Sequence, residues 1–495
     1  MGRISPSNSL LPSIGTTAIP EAPGFTPFVA MCFTVNYIMG TGFLTLPLAF
    51  SEAGIMLSVV ALGLVCFLSN VSKNYILEAM CRANALASPR KTDTSPTESS
   101  SSSYGAAETS RLVPATTSQR VSTRKFEIVE MCTLFLGGNA RRAYMATLGL
   151  YMFGTLWVYT TVFGHAMAST VQVVGVVETD YLIWVAVFAV VVVPLTCMEL
   201  REQMGVQVVL SMARFAMVIL MVGTTVAAMS ADGEDDNGQF GDQTSANTAP
   251  LANIQGLYKM IPIAVYANIY HHSIPGLSMP VADKSKLGFI FGVTFAFGMF
   301  AYSLIGGTVA WYFGDMVKVK GANINWSEYH AGTGHKNDAG DWVDRAWWVS
   351  IISVFVVCFP ALDVVSAFPL NGITLGNNLM VMYYGDKVGE HENDKRITNL
   401  FRLAVAVPPI LCASKWNNIN KITDYTGITG FLIAFTFPAA LHYYSKKAAV
   451  EKGMSATNEY STQFWSDDSM TFAVGAFGLV LVVFVLGSLL ITGAD

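Results

Sequence analysis

Long apolar runs recur along nearly the whole 495-residue chain. Many reach the roughly 20 residues that an α-helix needs to cross a bilayer core. Eleven runs are read as spans: 26–50, 54–80, 143–174, 181–198, 206–229, 257–280, 289–313, 347–368, 397–413, 422–443 and 471–491. The ninth is the weakest, because Pro408 and Pro409 interrupt it and Arg402 lies within it. Strands of a membrane barrel are shorter and alternate in character, which these runs do not. A backbone in hydrocarbon must satisfy its own polar groups, so the spans are predicted to be helices. Only 13% of the residues are charged, about half the usual share of a soluble domain, so three or so soluble domains are not expected. The predicted fold is an all-α polytopic membrane protein.

Lysine and arginine set the predicted orientation, since they accumulate on the cytoplasmic side. With the N-terminus placed in the cytoplasm, 21 Lys and Arg fall on that side, Arg214 and Arg402 counted among them, and 7 on the other. Lys73 lies within the second span. Eleven crossings then put the C-terminus outside or in a lumen; plasma membrane and lysosome- or vacuole-like membranes both stay open. Residues 1–25 read as a polar cytoplasmic tail without the apolar core of a signal peptide, and 26–495 as the membrane domain. Segment 88–123 is rich in Ser and Thr and reads as a disordered cytoplasmic linker. Segment 230–255 carries Asp232, Glu234, Asp235, Asp236 and Asp242 with no Lys or Arg, and reads as an acidic outer loop. Asn325-Trp326-Ser327, in a connection expected outside, is an acceptor sequence for N-glycosylation.

Other function classes find little footing. A net charge of −5 gives no basis for a nucleic-acid partner. Seven scattered cysteines form no CxxC pair or Cys/His cluster, so no metal site or cofactor is expected. No Ser/His/Asp order or phosphate loop points to an enzyme.

Two spans carry the chemistry. In the first, Asn36-Tyr-Ile-Met-Gly-Thr-Gly-Phe-Leu-Thr-Leu-Pro-Leu-Ala-Phe50 places Gly40 and Gly42 near mid-span, with Pro47 after them. Glycine tolerates unusual backbone angles and proline removes a donor, so an unwound stretch is expected there. Its freed amides would attract a carboxylate; close helix packing is the alternative reading of the glycines. In the sixth, His271-His272-Ser273 precede Pro275-Gly276, where a second break is expected. Adjacent histidines in a span need a cavity or a partner. Neighbouring helical side chains point about 100° apart, so one of the pair, with His271 favoured, should face the substrate. Five crossings separate the starts of these spans. The second therefore enters from the opposite side, as in a 5+5 inverted repeat with broken helices 1 and 6 and one extra helix.

Asn36–Phe50, followed by Ser-Glu-Ala-Gly54, resembles the opening signature of the amino acid/auxin permease family, a branch of the amino acid–polyamine–cation transporter group. The blocks Glu78-Ala-Met-Cys-Arg-Ala-Asn84, Phe126-Glu-Ile-Val-Glu-Met131, His271-His-Ser-Ile-Pro275 with Pro280-Val281, and Phe368-Pro-Leu-Asn-Gly-Ile-Thr-Leu-Gly-Asn-Asn378 are similar to its transmembrane protein 104 branch. The resemblance implies a substrate held between helices 1 and 6, with its carboxylate near Gly40-Thr41-Gly42. It also implies coupling to Na⁺ or H⁺. Oxygens of the first and eighth helices would hold a sodium ion, and the matching positions are Asn36, Ser350 and Ser353. Asp363, in or near the end of the eighth span, is either a proton relay or a helix-end group facing water. Glu127 and Glu130 are expected on an interfacial helix. The expected function is secondary active transport of an amino acid or similar small solute, with a non-transporting amino acid sensor as the alternative.

Overall fold

The computed structural model describes residues 24–87, 120–121, 126–231, 239–240, 248–318, 321–337, 342–391, 393–417 and 419–492. Residues 1–23 of the tail, the linker apart from 120–121, and all five acidic residues of 230–255 therefore lie outside the described residues. Elsewhere the chain is almost entirely helical. Its helices are α1 (Pro27–Ile38), α2 (Leu46–Ala53), α3 (Ile55–Ala87), α4 (Ile128–Phe135), α5 (Gly138–Thr170), α6 (Val177–Cys197), α7 (Met204–Ala231) and α8 (Leu257–Tyr266). There follow α9 (Ile274–Ser278), α10 (Leu287–Phe313), α11 (Trp347–Tyr384), α12 (Val388–His391), α13 (Lys395–Ala413), α14 (Ile419–Phe431), α15 (Phe437–Glu451) and α16 (Asp468–Thr492).

Among the described residues, α3, α5, α6, α7, α10, α11, α13 and α16 are each long and apolar enough to cross a bilayer. The α1–α2 pair, bent by 60° at its break, makes a ninth crossing. The α8–α9 pair and the α14–α15 pair correspond to the other two predicted spans. The first is interrupted by unwound chain at 267–270, the second by a π-helical turn, Leu432–Thr436. The side on which α1 begins is called the near side below.

Local chemistry explains where the breaks fall. The Thr26 hydroxyl caps α1 by accepting from the Val29 amide, and Pro27 fits the first turn because its missing N–H would be unpaired there anyway. Pro47 and Pro275 occupy the same kind of position, in the first turns of α2 and α9. The prolines thus start the second half-helices rather than cut the first ones. The sixth-span break accordingly lies before His271, at 267–270, and not at Pro275-Gly276. Asn268 closes the end of α8 by donating its side-chain amide to the Ala264 carbonyl at 2.8 Å. Gly54 ends α2 with φ +86°, and a Cβ there would lie 2.6 Å from the Ala252 nitrogen, so this position requires glycine.

The eighth and ninth spans differ from expectation. The eighth continues sixteen residues past Phe368, to Tyr384. Its extension is buried in protein, and Asn371 and Asn378 bond back to the Ala367 and Thr374 carbonyls within the helix. The ninth is an unbroken helix despite Pro408 and Pro409. Its Arg402 is buried and donates to the Cys197 and Met198 carbonyls and to Glu199, capping the C-terminus of α6. Arg402 therefore is not a loop charge. Nor is Arg214, which is fully buried within α7. Glu127 precedes the short helix α4; it is buried and accepts from Asn378, while Glu130 is half-buried.

Helix α11 runs against α5, α6, α7 and α13, and α3 against α8, α10 and α15. Helix α16 packs on α14, α15 and the π-turn, and exposes Phe472, Leu479, Val480 and Val483 on its outer face. On the far side, the α10–α11 connection folds around Phe240, whose ring meets Tyr312, Phe313, Trp326 and Tyr329. Asn325 of the glycosylation sequence sits inside this lobe. It is fully buried, donates to the Met316 carbonyl at 3.0 Å and accepts from the Lys318 amide at 3.1 Å. In this fold the Asn325 side chain is therefore not presented at the surface.

Candidate functional site at the two helix breaks

The two breaks lie against each other. Gly40 leaves α1 in an extended conformation, and a 3-10 turn, Thr41–Leu44, follows before α2. The leading amides of such a turn have no partner inside it, which makes this backbone a donor surface. The Thr41 side chain lies outside what is described. Facing this stretch, Tyr302 of α10 places its hydroxyl 3.1 Å from the Ile38 carbonyl and 2.8 Å from the Ala267 carbonyl. One phenol on a third helix thus ties together the ends of α1 and α8, where helical carbonyls lose their partners.

Gly40 and Gly42 are not glycines for the reason expected. Neither has a positive φ. Space is the reason: a Cβ on Gly42 would lie 2.9 Å from Tyr266 Cδ1 and 3.4 Å from Ala267 Cα, and one on Gly40 would lie 2.9 Å from the Tyr159 hydroxyl. The glycines let the first break press against the sixth and against α5. Gly276, by contrast, has open space where a Cβ would go.

His271, His272 and Ser273 are all buried, and they point in different directions. His272 Nε2 lies 3.2 Å from Asn371 Oδ1, and its ring stands edge-on to Tyr37 and Tyr151. Ser273 Oγ lies 3.2 Å from Thr374 Oγ1, which is 2.9 Å from the Tyr37 hydroxyl; Tyr37 also donates to the Leu370 carbonyl at 2.6 Å. His271 turns instead toward α3, with Nε2 3.0 Å from the Ser69 carbonyl. The residue grouped with the first and eighth spans is therefore His272, not the favoured His271.

The suggested sodium ligands do not come together. Ser353 donates to the Trp326 carbonyl at 2.7 Å, and Ser350 lies one turn further away. Asn36 is occupied elsewhere. It donates to the Gln207 carbonyl at 2.8 Å and to Gln207 Oε1 at 2.7 Å, and it accepts from the Arg214 guanidinium. Arg214 also binds Asp363 through Nε at 2.9 Å and through Nη2, and Ser366 Oγ at 3.2 Å. Ten residues of helix, about 15 Å, separate Ser353 from Asp363. Asp363 is buried in mid-helix, so it is not a helix-end group facing water. The oxygens of the first and eighth spans do surround a cation, and that cation is a side chain of α7, the fifth span.

The sequence reading missed Tyr302, Tyr37, Asn371 and Thr374, and it counted Arg214 among the cytoplasmic charges. A charge inside the apolar run 206–229 was the available signal for Arg214. Tyr302 offered none, because its partners lie in other spans. Among the described residues no group of three or more His, Cys, Asp or Glu side chains could hold a metal ion.

This arrangement is that of a membrane transporter fold with two discontinuous helices. The chain is similar over 94% of its length to a substrate-bound, outward-open Na⁺-coupled sialic acid symporter, covering 88% of that chain with a TM-score of 0.54 at 8% identity. The chain belongs to the transmembrane amino acid transporter protein family, which it matches over residues 24–487. Among its relatives, transmembrane protein 104 of Mus musculus is 25% identical over 509 residues, covering 93% of this chain and 97% of that protein. The transmembrane protein 104 homologs of Dictyostelium discoideum (24%, covering 89% and 91%) and Caenorhabditis elegans (27%, covering 72% and 69%) are similar.

Proposed function

We propose that this protein is a secondary carrier moving an amino acid or a similar small solute by alternating access. The observation that carries this reading is the Tyr302 tie between the two broken helices. Discontinuous helices at corresponding positions of two five-span sets are where such carriers hold their solute. The amides at Gly40-Thr41-Gly42 suit a carboxylate, and Tyr37, His272 and Ser273 offer hydrogen bonds to the rest of a small polar solute. Membership of an amino acid transporter family supports the same reading.

Arg214 bears on the coupling ion. It fills the place between the first and eighth spans with a fixed positive charge, bound by the oxygens a sodium ion would need. This favours H⁺ over Na⁺ as the coupling ion. The lysine and arginine bias favours a cytoplasmic N-terminus, and it persists when the buried Arg82, Arg214 and Arg402 are set aside.

Uptake by purified protein in liposomes, across a panel of amino acids with Na⁺ and pH gradients imposed separately, tests the proposal. At least one amino acid should enter, and replacing Na⁺ by choline should leave the rate unchanged. Saturable amino acid binding without uptake of any panel member would overturn transport in favour of sensing.

A further inference from the structure

The second and sixth spans close over a set of buried polar groups that the helix-break site does not use. Lys73 of α3 is 2% exposed, and among the described residues no hydrogen bond or ion pair reaches it. It lies one helical turn beyond Ser69, on the same face of the helix. The Ser69 carbonyl is 3.0 Å from His271 Nε2. Three more buried polar atoms here have no partner: His271 Nδ1, Ser69 Oγ and the Tyr270 hydroxyl. The Tyr270 ring sits beside Phe291 and Phe295 of α10, and the Phe295 carbonyl accepts from Cys66 of α3. Unpartnered buried polar atoms in a native fold call for an explanation.

The composition of the set narrows that explanation. It holds an amine, an imidazole and two hydroxyls, with no carboxylate to pair the amine. Helix α10 and the π-turn bring no Asp, Glu, Lys, Arg or His to it. Such groups on the other packed elements are committed elsewhere: Glu52 of α2 pairs with Lys259 of α8, and Glu127, before α4, accepts from Asn378. Glu78 binds Arg82, His442, Ser461 and Ser466. His442 also meets Thr471. Lys284 donates to the Ser278, Met279 and Val281 carbonyls below α9. Cys66 and Tyr270 are the other titratable neighbours. A carbonyl can only accept, so His271 carries its hydrogen on Nε2 and leaves Nδ1 as a free base.

We propose that Lys73 is the proton-binding group that couples this carrier to a proton gradient. The proposal rests on the transport reading above. In the closed arrangement an ammonium with no counter-charge is disfavoured in a low-dielectric interior, so the amine is neutral. Opening the near side moves the 271–273 turn and α9 away from α3. The His271–Ser69 bond breaks, water reaches the amine, and Nζ takes a proton. On reclosing, Nζ gives that proton to water on the side then open, and the amine is neutral again. Proton binding and opening are thereby linked, and each favours the other.

The test reads near-side opening without any solute. Leu277, buried on α9, is replaced by cysteine in a background whose half-buried Cys197, Cys358 and Cys412 are serine, and its modification by a water-soluble maleimide is timed and divided by the rate for free cysteine at the same pH, which removes the thiolate's own pH dependence; the rates below are these ratios. With Lys73 present, the rate should rise severalfold from about pH 9 to about pH 6. With K73M or K73Q it should be independent of pH, and with K73R, a fixed cation, it should be fast throughout. A pH-independent rate with Lys73 present, or a preserved pH response in K73M and K73Q, overturns the proposal. In liposomes, solute entry through the wild type should acidify the lumen, and entry through K73M should not; lumen acidification by K73M also overturns it. If no protein takes up any solute, the transport reading alone fails, and the maleimide rates still decide whether Lys73 is the proton site.

Discussion

Replacing Asp363 by Asn keeps the shape of the side chain and removes its charge. Arg214 then remains fully buried with only the neutral oxygens of Asn36, Ser366 and the new amide around its guanidinium. Breaking one side of a buried ion pair costs about 3–5 kcal/mol, because the remaining charge has no partner and no water. Arginine cannot relieve the strain by giving up its proton. With an unfolding entropy of about 2 cal/mol/K per residue, a chain of this length loses roughly 1 kcal/mol of stability per degree, so its melting temperature should fall by about 3–5 °C. Arg214→Met should be milder, since the stranded Asp363 carboxyl can neutralise itself by taking a proton. Combining Arg214→Met with Asp363→Leu removes both charges and should restore most of the loss, as apolar replacement of a whole buried pair is often neutral. The measurement is the fraction of monodisperse protein surviving a heat step, read by fluorescence-detected size exclusion. If Asp363→Asn melts with the wild type, or if the double variant loses as much as the two singles together, the pair is not coupled as its geometry requires.

Tyr302→Phe leaves the Ile38 and Ala267 carbonyls without their donor, at about 1–3 kcal/mol, and uptake should fall on the order of tenfold; unchanged uptake removes Tyr302 from the site. Gly42→Val puts its Cβ 2.9 Å from Tyr266 Cδ1 and should abolish uptake in protein that still inserts, with Gly42→Ala weaker; normal uptake by well-expressed Gly42→Val protein would sink the placement of the solute. Asn325 should carry no glycan, so glycosidase digestion should leave the mobility of the wild type and of Asn325→Gln equal. Burial would raise the carboxyl of Glu328, on the far-side lobe, but the Trp342 indole and Lys336 hold it below its ordinary value. Its contribution is whole above the ordinary carboxylate range and is lost as pH falls through the lowered value, so proteolysis of residues 314–346 should accelerate on acidification; a Glu328→Gln variant with the same acid response would assign that effect to another group.

The spans were legible because bilayer thickness leaves little choice of length, and all eleven begin within five residues of their helices; the tenth, starting three residues into α14, is then carried past a π-turn that no periodicity announces. The breaks were legible in kind but displaced in place. Pro275 reads as an interruption, yet a residue with a fixed φ and no N–H belongs in a first turn, so the unwound chain lies upstream of it. Gly42 was noticed for its backbone freedom and is required instead by a neighbour 224 residues away in sequence, Tyr266, which no local pattern contains.

The side chains that complete the site share one property that can be read in advance. Tyr37, Arg214, Tyr302 and Asn371 are polar groups in apolar helices, and a polar group there must find a partner or destabilise the fold. The breaks supply such partners, because unwinding frees carbonyls that the helix can no longer satisfy: Ile38 and Ala267 take the Tyr302 hydroxyl. Polar residues in otherwise apolar spans are thus the complement of the broken backbone, and each can be assigned by asking which freed group or charge it meets. Asked of Lys73, the question returns no partner among the described residues. An amine that the closed fold leaves unpaired must find its counterpart in another conformation or in a proton, and for that reason the proposal above assigns it to a transport cycle rather than to packing.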